Sequence, residues 1–358
     1  MDPLTHVATG AAISQMVPSP HRGWAALAGV LFAVLPDLDY ILTFNSRLAY
    51  LKHHRGFTHS VFGLLLFVML AAGLGRLLGG PRWFRPLLLI GFLVLVSHLF
   101  QDWTTSYGTQ LLNPLTRAKF TLDWVFIIDP YLTALIFLGA AAALISAGWG
   151  RTLNEVCLGL AGGYILLCGF YHHQALNLAR QIYEPTSGPA AKIAALPQPF
   201  SPRRWVLLAA TPSEVRQAFV ELPFWPSGVQ IQPSVQIPVT HAPGGPYQAP
   251  PAAYRRPPTL EIYLWQAAPF PPAALTPEVR RLLSTYLEFS RFPLLVANDH
   301  VPPGITLSWL DLRFSVPGRA MPFVLQVTLD PEGRLTAWRL GGARLPVEKS
   351  SPPSPCSG

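Results

Sequence analysis

The 358-residue chain predicts an all-α polytopic membrane helix bundle of about five to six membrane helices, followed by a C-terminal soluble α+β domain. Three observations carry this. Half of the residues are hydrophobic, only 12% are charged, and the mean hydropathy is +0.32; the charged share is about half that of an ordinary soluble domain. Long apolar runs are confined to the region before about residue 180. Beyond it, proline becomes frequent and short alternating segments replace the runs. The expected division is a membrane-embedded domain over 1–180, a soluble α+β domain of unknown role over 181–349, and a disordered tail over 350–358.

In chain order, the apolar runs are 24–36, 61–78, 83–100, 130–149 and 153–171. Spanning a bilayer takes about 20 residues, with a range near 17–25, and three of these runs meet that range comfortably. Residues 24–36 are short unless the helix continues past two aspartates to Phe44, and 5–17 is shorter still, as a re-entrant or interfacial segment would be. Further on, QAPPAAYRRPP at 248–258 reads as an open, extended linker. Residues 259–266, 305–316, 322–329 and 334–340 alternate as strands, with Asp330-Pro331-Glu332-Gly333 as the turn between the last two. Two helix starts are signed, one at Thr211-Pro212 with Glu214, the other at Thr276-Pro277-Glu278, the latter ending near Ser290.

The net charge of +8 does not point to nucleic acid, because the basic residues are scattered and no nucleic-acid-binding motif is present. Basic loops flanking membrane helices explain it more simply. Cys157, Cys168 and Cys356 form neither a CxxC pair nor a disulfide framework. The N-terminus MDPLTHVATG lacks the basic start of a secretory signal, so insertion is expected to rely on internal helices.

Four polar clusters sit beside apolar helices: Thr5-His6, Pro36-Asp37-Leu38-Asp39, residues 53–60 (HHRGFTHS), and His98 with Asp102. An ionisable residue at the centre of a membrane helix costs about 3 kcal/mol, so such residues are functional or lie at helix ends. Counting crossings brings the clusters together. If 37–59 lies on one side of the membrane, the next helix leaves that side and the one after it returns with His98 and Asp102. A crossing by 5–17 would start His6 there too. The other side receives Arg22, Arg82, Arg85 and Arg151.

The spacing suits ligation. His98 and Asp102 are i and i+4 and share a helix face. Asp37 and Asp39 stand where Pro36 bends the backbone, and His54 and His59 flank Gly56. Mixed imidazole and carboxylate donors suit Zn, Mn or Fe, and six or seven of them exceed the need of one tetrahedral ion, so two metals about 3.5–4 Å apart are reasonable. Arg55 can pair with Asp39 or bind an anionic substrate in bidentate fashion. The loop after Asp102, beginning at Tyr107 and Gly108, can line a substrate pocket. His21, His172 and His173 read as helix-end residues, and Asp123 and Asp129 as carboxylates placed favourably near a helix start.

THVATG at 5–10, PDLD at 36–39, HHRGFTHS at 53–60 and HLFQDWTTSYGT at 98–109 resemble the YdjM-like (YbcI-like) membrane-bound metal-dependent hydrolases, which show these motifs in this order. The resemblance covers residues 1 to about 180. It implies a bacterial inner-membrane protein named as a hydrolase, distantly similar to zinc phospholipase C and P1 nuclease. By motif it implies His6, Asp37, Asp39, His54, His59, His98 and Asp102 as metal ligands.

Two functions follow. The first is an integral-membrane metal-dependent hydrolase acting on a phosphoester or other amphiphilic, lipid-like substrate, with one or two divalent transition ions, foremost Zn, activating water. Asp37 or Asp39 would act as base and Arg55 would neutralise phosphate. The second is a non-enzymatic metal-binding or envelope-stress membrane protein. Clustering of the polar residues at one end of apolar helices disfavours ion transport. Basic residues in short loops are nearly balanced between the two sides, and those serving the site tilt the Arg22 side toward the cytoplasm.

Overall fold

The computed structural model describes residues 1–19, 21–43, 47–188, 191–224, 235–239, 247–270, 275–301, 304–341 and 348–349. Contacts divide the chain into two compact units, Met1–Gln174 with Leu196–Arg203, and Ala175–Ala195 with Arg204–Gly358.

The first unit is helical. Helix α1 (Pro3–Ser14) starts at Asp2, whose carboxylate accepts the Thr5 N–H, with Pro3 in the first turn. Its 12 residues rise about 18 Å, well short of a bilayer core. Helix α2 (Arg22–Val34) gives way to a 3-10 turn at Pro36–Leu38, because Pro36 has no N–H to continue the ladder. Helix α3 (Asp39–Thr43) follows, and Phe44, the expected limit of a longer helix, lies outside the described residues. Helix α4 (Arg47–His53) and a second 3-10 turn (Phe57–His59) lead to α5 (Val61–Gly79), which Ser60 caps by accepting the Gly63 N–H. Then come α6 (Pro81–Thr104), α7 (Pro130–Ile145) and α8 (Trp149–Ser187), whose residues from Ala175 on count with the second unit. Asp129 caps α7 by accepting from the Tyr131 and Leu132 amides.

Among the described residues, α5, α6 and α8 are long and apolar enough to cross a membrane, while α2 and α7 are apolar but shorter. Only 22%, 33% and 28% of the apolar windows of α5, α6 and α8 are buried, so most of their side chains face outward. Leu66, Met69, Leu70 and Leu77 on α5 and Leu160 and Leu166 on α8 stand exposed. That is untenable in water and natural in lipid.

Helix α1 joins two apolar layers. Ala8 and Ala12 pack with Leu132, Ile136, Ala161 and Ile165 of α7 and α8. Ile13 joins Phe32, Leu64, Val68, Val94 and Leu95 of α2, α5 and α6. Gly10 and Gly29 lie backbone to backbone, with no room for a Cβ on either. Small residues of this kind let membrane helices approach closely.

The second unit holds two five-stranded sheets. Strands β1 (Lys192–Pro197), β2 (Arg204–Ala210), β3 (Glu214–Glu221), β4 (Val235–Pro238) and β5 (Glu261–Gln266) run in the order β1-β2-β3-β5-β4. After helix α9 (Pro277–Phe289), strands β6 (Pro293–Val301), β7 (Gly304–Asp311), β8 (Leu325–Leu329), β9 (Leu335–Leu340) and β10 (Glu348–Lys349) run in the order β10-β9-β8-β7-β6. Helix α9 starts after Thr276 and ends at Ser290, and the turn at 330–333 closes with the Gly333 N–H on the Asp330 carbonyl.

The helix expected at Thr211 does not form. Thr211 Oγ1 accepts the Glu214 N–H at 3.2 Å and the Thr211 N–H donates to the Glu214 carbonyl at 2.9 Å, closing a hairpin turn into β3. The groups that cap a helix also close such a turn. Pairing of β3 with β2, from Ala210 with Val215 to Arg204 with Glu221, decides between them. Strand β7 stops at Asp311, whose carboxylate accepts the Arg313 N–H and turns the chain into a 3-10 segment, so 305–316 is not one strand. The linker at 248–258 is open, tied by bridges from Gln248 to Ala320 and from Arg255 to Val220. The tail from Ser350 lies outside the described residues.

Candidate metal centre

The site forms where local chain breaks meet helix ends. The Pro36 turn presents Asp37 and Asp39 beyond the C-terminus of α2. In the 53–60 loop Arg55 takes φ 58°, and a Cβ on Gly56 would lie 2.7 Å from the His53 carbonyl. A side chain at 56 would therefore open the turn that delivers His59. Helix α6 carries His98 and Asp102 on one face, four residues apart. Helix α1 brings His6, held against α6 by Gln101 donating to Thr9 Oγ1 at 2.8 Å and against α7 by a Thr5–Thr133 hydroxyl contact of 2.6 Å.

These elements converge on two sets of three: His59, His98 and Asp102, all buried, and His6, Asp37 and His98. Within each set the potential ligand atoms lie within 4.8 Å of one another. His98 Nδ1 stands 2.9 Å from the Ala33 carbonyl, which can only accept, so Nδ1 donates there and Nε2 is the ring nitrogen turned into the site. That nitrogen faces Asp102 Oδ2 at 3.5 Å and Asp37 Oδ1 at 3.9 Å. Buried His98 Nε2 and Asp102 Oδ2 have no hydrogen-bond partner among the described residues. Two buried, inward-facing polar atoms without partners are costly, and a cation between them would satisfy both. The donor set of imidazole and carboxylate therefore fits a divalent transition metal.

The surroundings orient the ligands. His59 Nε2 lies 3.1 Å from Asp37 Oδ1 and 3.4 Å from Asp102 Oδ2, while its Nδ1 lies 3.0 Å from Thr58 Oγ1 and 3.4 Å from Asp39 Oδ2. Asp39 also receives His54 Nδ1 at 2.9 Å, the Arg55 amide at 3.1 Å and the Thr58 hydroxyl at 3.0 Å. Asp102 Oδ1 meets Arg55 Nη2 at 2.7 Å, His6 Nε2 at 3.3 Å and the amino group of Met1. The His6 and His98 rings stack with centroids 3.7 Å apart.

Electrostatics outside the spanning helices follow from these contacts. Burial pushes the His59 imidazolium toward losing its proton, but hydrogen bonds to Asp37 and Asp39 and the charge of Asp102 outweigh it, raising the pKa to about 9. Burial likewise opposes ionisation of Asp37 and Asp39. The His59 hydrogen bond nevertheless takes Asp37 down to about 2, and bonds from His54 and His59 hold Asp39 well below the usual carboxylate range. Burial, only partly offset by Asp39, lowers His54.

Of the ligand candidates, His6, Asp37, His59, His98 and Asp102 enter the two sets, and His54 and Asp39 stand outside both. Asp39 bridges His54 to His59, and His54 lies against the Tyr50 ring at 4.5 Å. Arg55 is buried, with its guanidinium on Asp102, Nη1 donating to Thr105 Oγ1 at 2.9 Å and its plane 4.8 Å from the Tyr107 ring. It is thus committed within the protein rather than presented to an anion. Tyr107 is itself buried, with its ring 5.6 Å from that of His54, and Gly108 takes φ 97° with Lys119 packed beside it. Sequence reasoning passed over Thr58, the Ala33 carbonyl, Thr105 and Tyr50. Thr58 and Thr105 lie inside the motifs at 53–60 and 98–109, Tyr50 lies outside them, and the carbonyl has no side-chain signature at all.

Residues 1–175 match the family described as YdjM inner membrane protein. Among curated proteins, the chain is 30% identical to YfhP of Bacillus subtilis (strain 168) over 197 residues, 51% of this chain and 58% of that protein. It is 35% identical to the inner membrane protein YbcI of Escherichia coli (strain K12) over 105 residues, 27% of this chain and 57% of that one. The chain therefore spans less than two thirds of the length of these curated relatives. No solved structure matches.

Proposed function

Residues 1–175 belong to the YdjM inner membrane protein family, the chain is a bacterial inner-membrane protein, and from that premise we propose that it is an integral-membrane metal-dependent hydrolase. The observation that carries this is the buried convergence of His59, His98 and Asp102, with His98 Nε2 and Asp102 Oδ2 lacking hydrogen-bond partners. A divalent transition metal, foremost Zn and otherwise Mn or Fe, would supply there a water of near-neutral pKa and polarise a scissile group.

The chain's own residues divide the remaining work. His98 is held by the Ala33 carbonyl with one ring nitrogen left to offer, which favours a single ion drawing on both sets over two ions filling them separately. Asp39 and Thr58 fix the His59 ring. Arg55 balances the charge of Asp102. Asp37 has a side chain 23% exposed, against 0% for His59 and 1% for His98 and Asp102, so of the ligand carboxylates it is the one that an entering water or substrate can reach. A site at the ends of lipid-facing helices suits an amphiphilic substrate, and the ligand chemistry suits a phosphoester.

The near-complete burial of His59, His98 and Asp102 favours a second reading, a metal-binding membrane protein without turnover. Metal analysis and phosphodiester or phospholipid turnover in detergent separate the two. The hydrolase reading expects turnover abolished by a chelator and restored by Zn or Mn, with metal lost in His59→Ala and Asp102→Ala. Metal retained without turnover selects the second reading. A wild type that binds no transition metal defeats both.

A further inference from the structure

A second polar feature lies at the other end of α1 and α2. The metal centre uses His6 in the first turns of α1 and the chain leaving α2, whereas an open cavity of about 200 Å³ lies where α1 ends, α2 begins and α8 begins. Its lining includes Ser14, Gln15, Ser19, Arg22 and Arg151, and no carboxylate. The room equals several water volumes at about 30 Å³ each, enough for a phosphate group.

Both guanidiniums are anchored and both keep donors in reserve. Arg22 Nε donates to Gln15 Oε1 at 3.2 Å, and its Nη2 donates to the Ala143 carbonyl and, at 3.4 Å, to the Ser146 carbonyl, at the C-terminal end of α7. Arg151 Nε meets Glu155 Oε1 at 3.1 Å, and its Nη2 donates to the Met16 carbonyl at 3.5 Å. Among the described residues neither Nη1 has a partner. Gln15, itself buried, donates to the Arg22 carbonyl at 3.2 Å and so holds the arginine backbone at the cavity wall.

The depth of this feature in the membrane is marked by tryptophan. Trp24 in the first turn of α2 and Trp149 at the start of α8 are each 62% exposed at the same end of the unit. Exposed indoles flanking apolar helices sit at headgroup level. A cavity with two spare guanidinium donors, no acid in its wall and this depth meets the phosphate of a lipid.

We propose that this cavity binds the headgroup phosphate of an anionic phospholipid, at the end of α1 and α2 remote from the metal centre. Zwitterionic lipid gains less, because its ammonium finds no acid in the cavity wall. A basic residue near an anionic lipid surface contributes a factor of about five, so two contribute roughly thirtyfold.

The test uses the full chain in detergent with equal mole fractions of phosphatidylglycerol and phosphatidylcholine, with retained lipid counted by native mass spectrometry. We expect wild type to retain phosphatidylglycerol roughly thirtyfold over phosphatidylcholine. Arg151→Gln, at a side chain 51% exposed and away from the core, should cut that ratio about fivefold, and Arg151→Lys should restore part of it. Glu155→Gln, which releases Arg151, should raise it. Equal retention of the two lipids by wild type, or a ratio unchanged in both Arg151→Gln and Glu155→Gln, overturns the proposal. Displacement of the phosphatidylglycerol by low-millimolar inorganic phosphate would also overturn it, by making the cavity a site for free anion.

Discussion

Replacing Arg55 by Gln tests the charge balance of the metal centre. Arg55 is 3% exposed, its Nη2 lies 2.7 Å from Asp102 Oδ1, and Asp102 is fully buried. Removing one partner of a buried pair costs about 3–5 kcal/mol when the other charge is left uncompensated, and the Met1 amino group and His59 beside Asp102 place this loss at the lower end of that range. Loss of the 2.9 Å bond to Thr105 Oγ1 adds about 1 kcal/mol. A divalent ion bound at Asp102 supplies the missing positive charge, and at a hundred times its dissociation constant stabilises the folded state by about 2.7 kcal/mol. Metal-free Arg55→Gln should therefore unfold well before wild type, and Zn or Mn should recover more than half of the loss. Asp102→Asn should suffer a comparable loss without that recovery, since it strands Arg55 and removes a ligand. The assay is equilibrium unfolding of the full chain in detergent, with and without metal. If Arg55→Gln lies within about 1 kcal/mol of wild type, or if metal stabilises Asp102→Asn as much as Arg55→Gln, the charge argument fails.

Two further outcomes follow from the same geometry. The His59 pKa of about 9 lies above the ordinary 6.5, so in the metal-free protein its proton stabilises the fold below pH 6.5 and that contribution fades as pH rises through 9. Metal binding at pH 7.5 must expel this proton while Asp37, at about 2, has none to give. Calorimetry in buffers of different ionisation enthalpy should thus show about one proton released per ion, and a release of zero would refute the assignment. Gly10→Val should force α1 off α2, because a Cβ there runs into the Gly29 carbonyl and Ala33. The variant should lose metal along with stability by moving His6 and the Ala33 carbonyl that holds His98, and unchanged metal content in a folded variant would separate the helix contact from the site.

The motifs made the ligand types readable, and crossing parity made their meeting readable. His98 and Asp102 share a helix face by arithmetic alone. The apolar runs likewise announced α5, α6 and α8. In the second unit, the Thr276 helix and the 330–333 turn were legible because their signals are local. The Thr211 segment was not, because its capping groups serve a helix and a hairpin equally well and only pairing with β2 chooses. Strand β2 carries little alternation, since Trp205, Val206, Leu207 and Leu208 are all buried, and a strand covered on both faces has no period-2 pattern to read.

What the sequence determined by itself, then, is the chemistry available: imidazoles and carboxylates at helix ends in an apolar, lipid-facing bundle. Tertiary structure decided how that chemistry is allotted. It put Asp39 between His54 and His59, turned Arg55 onto Asp102, and turned His98 Nε2 into the site by tying Nδ1 to the Ala33 carbonyl. The physical reason is that ligation and orientation use the same residue types. Which carboxylate binds and which one steadies depends on the donors that surround it, and those donors come from backbone and side chains far apart in the chain.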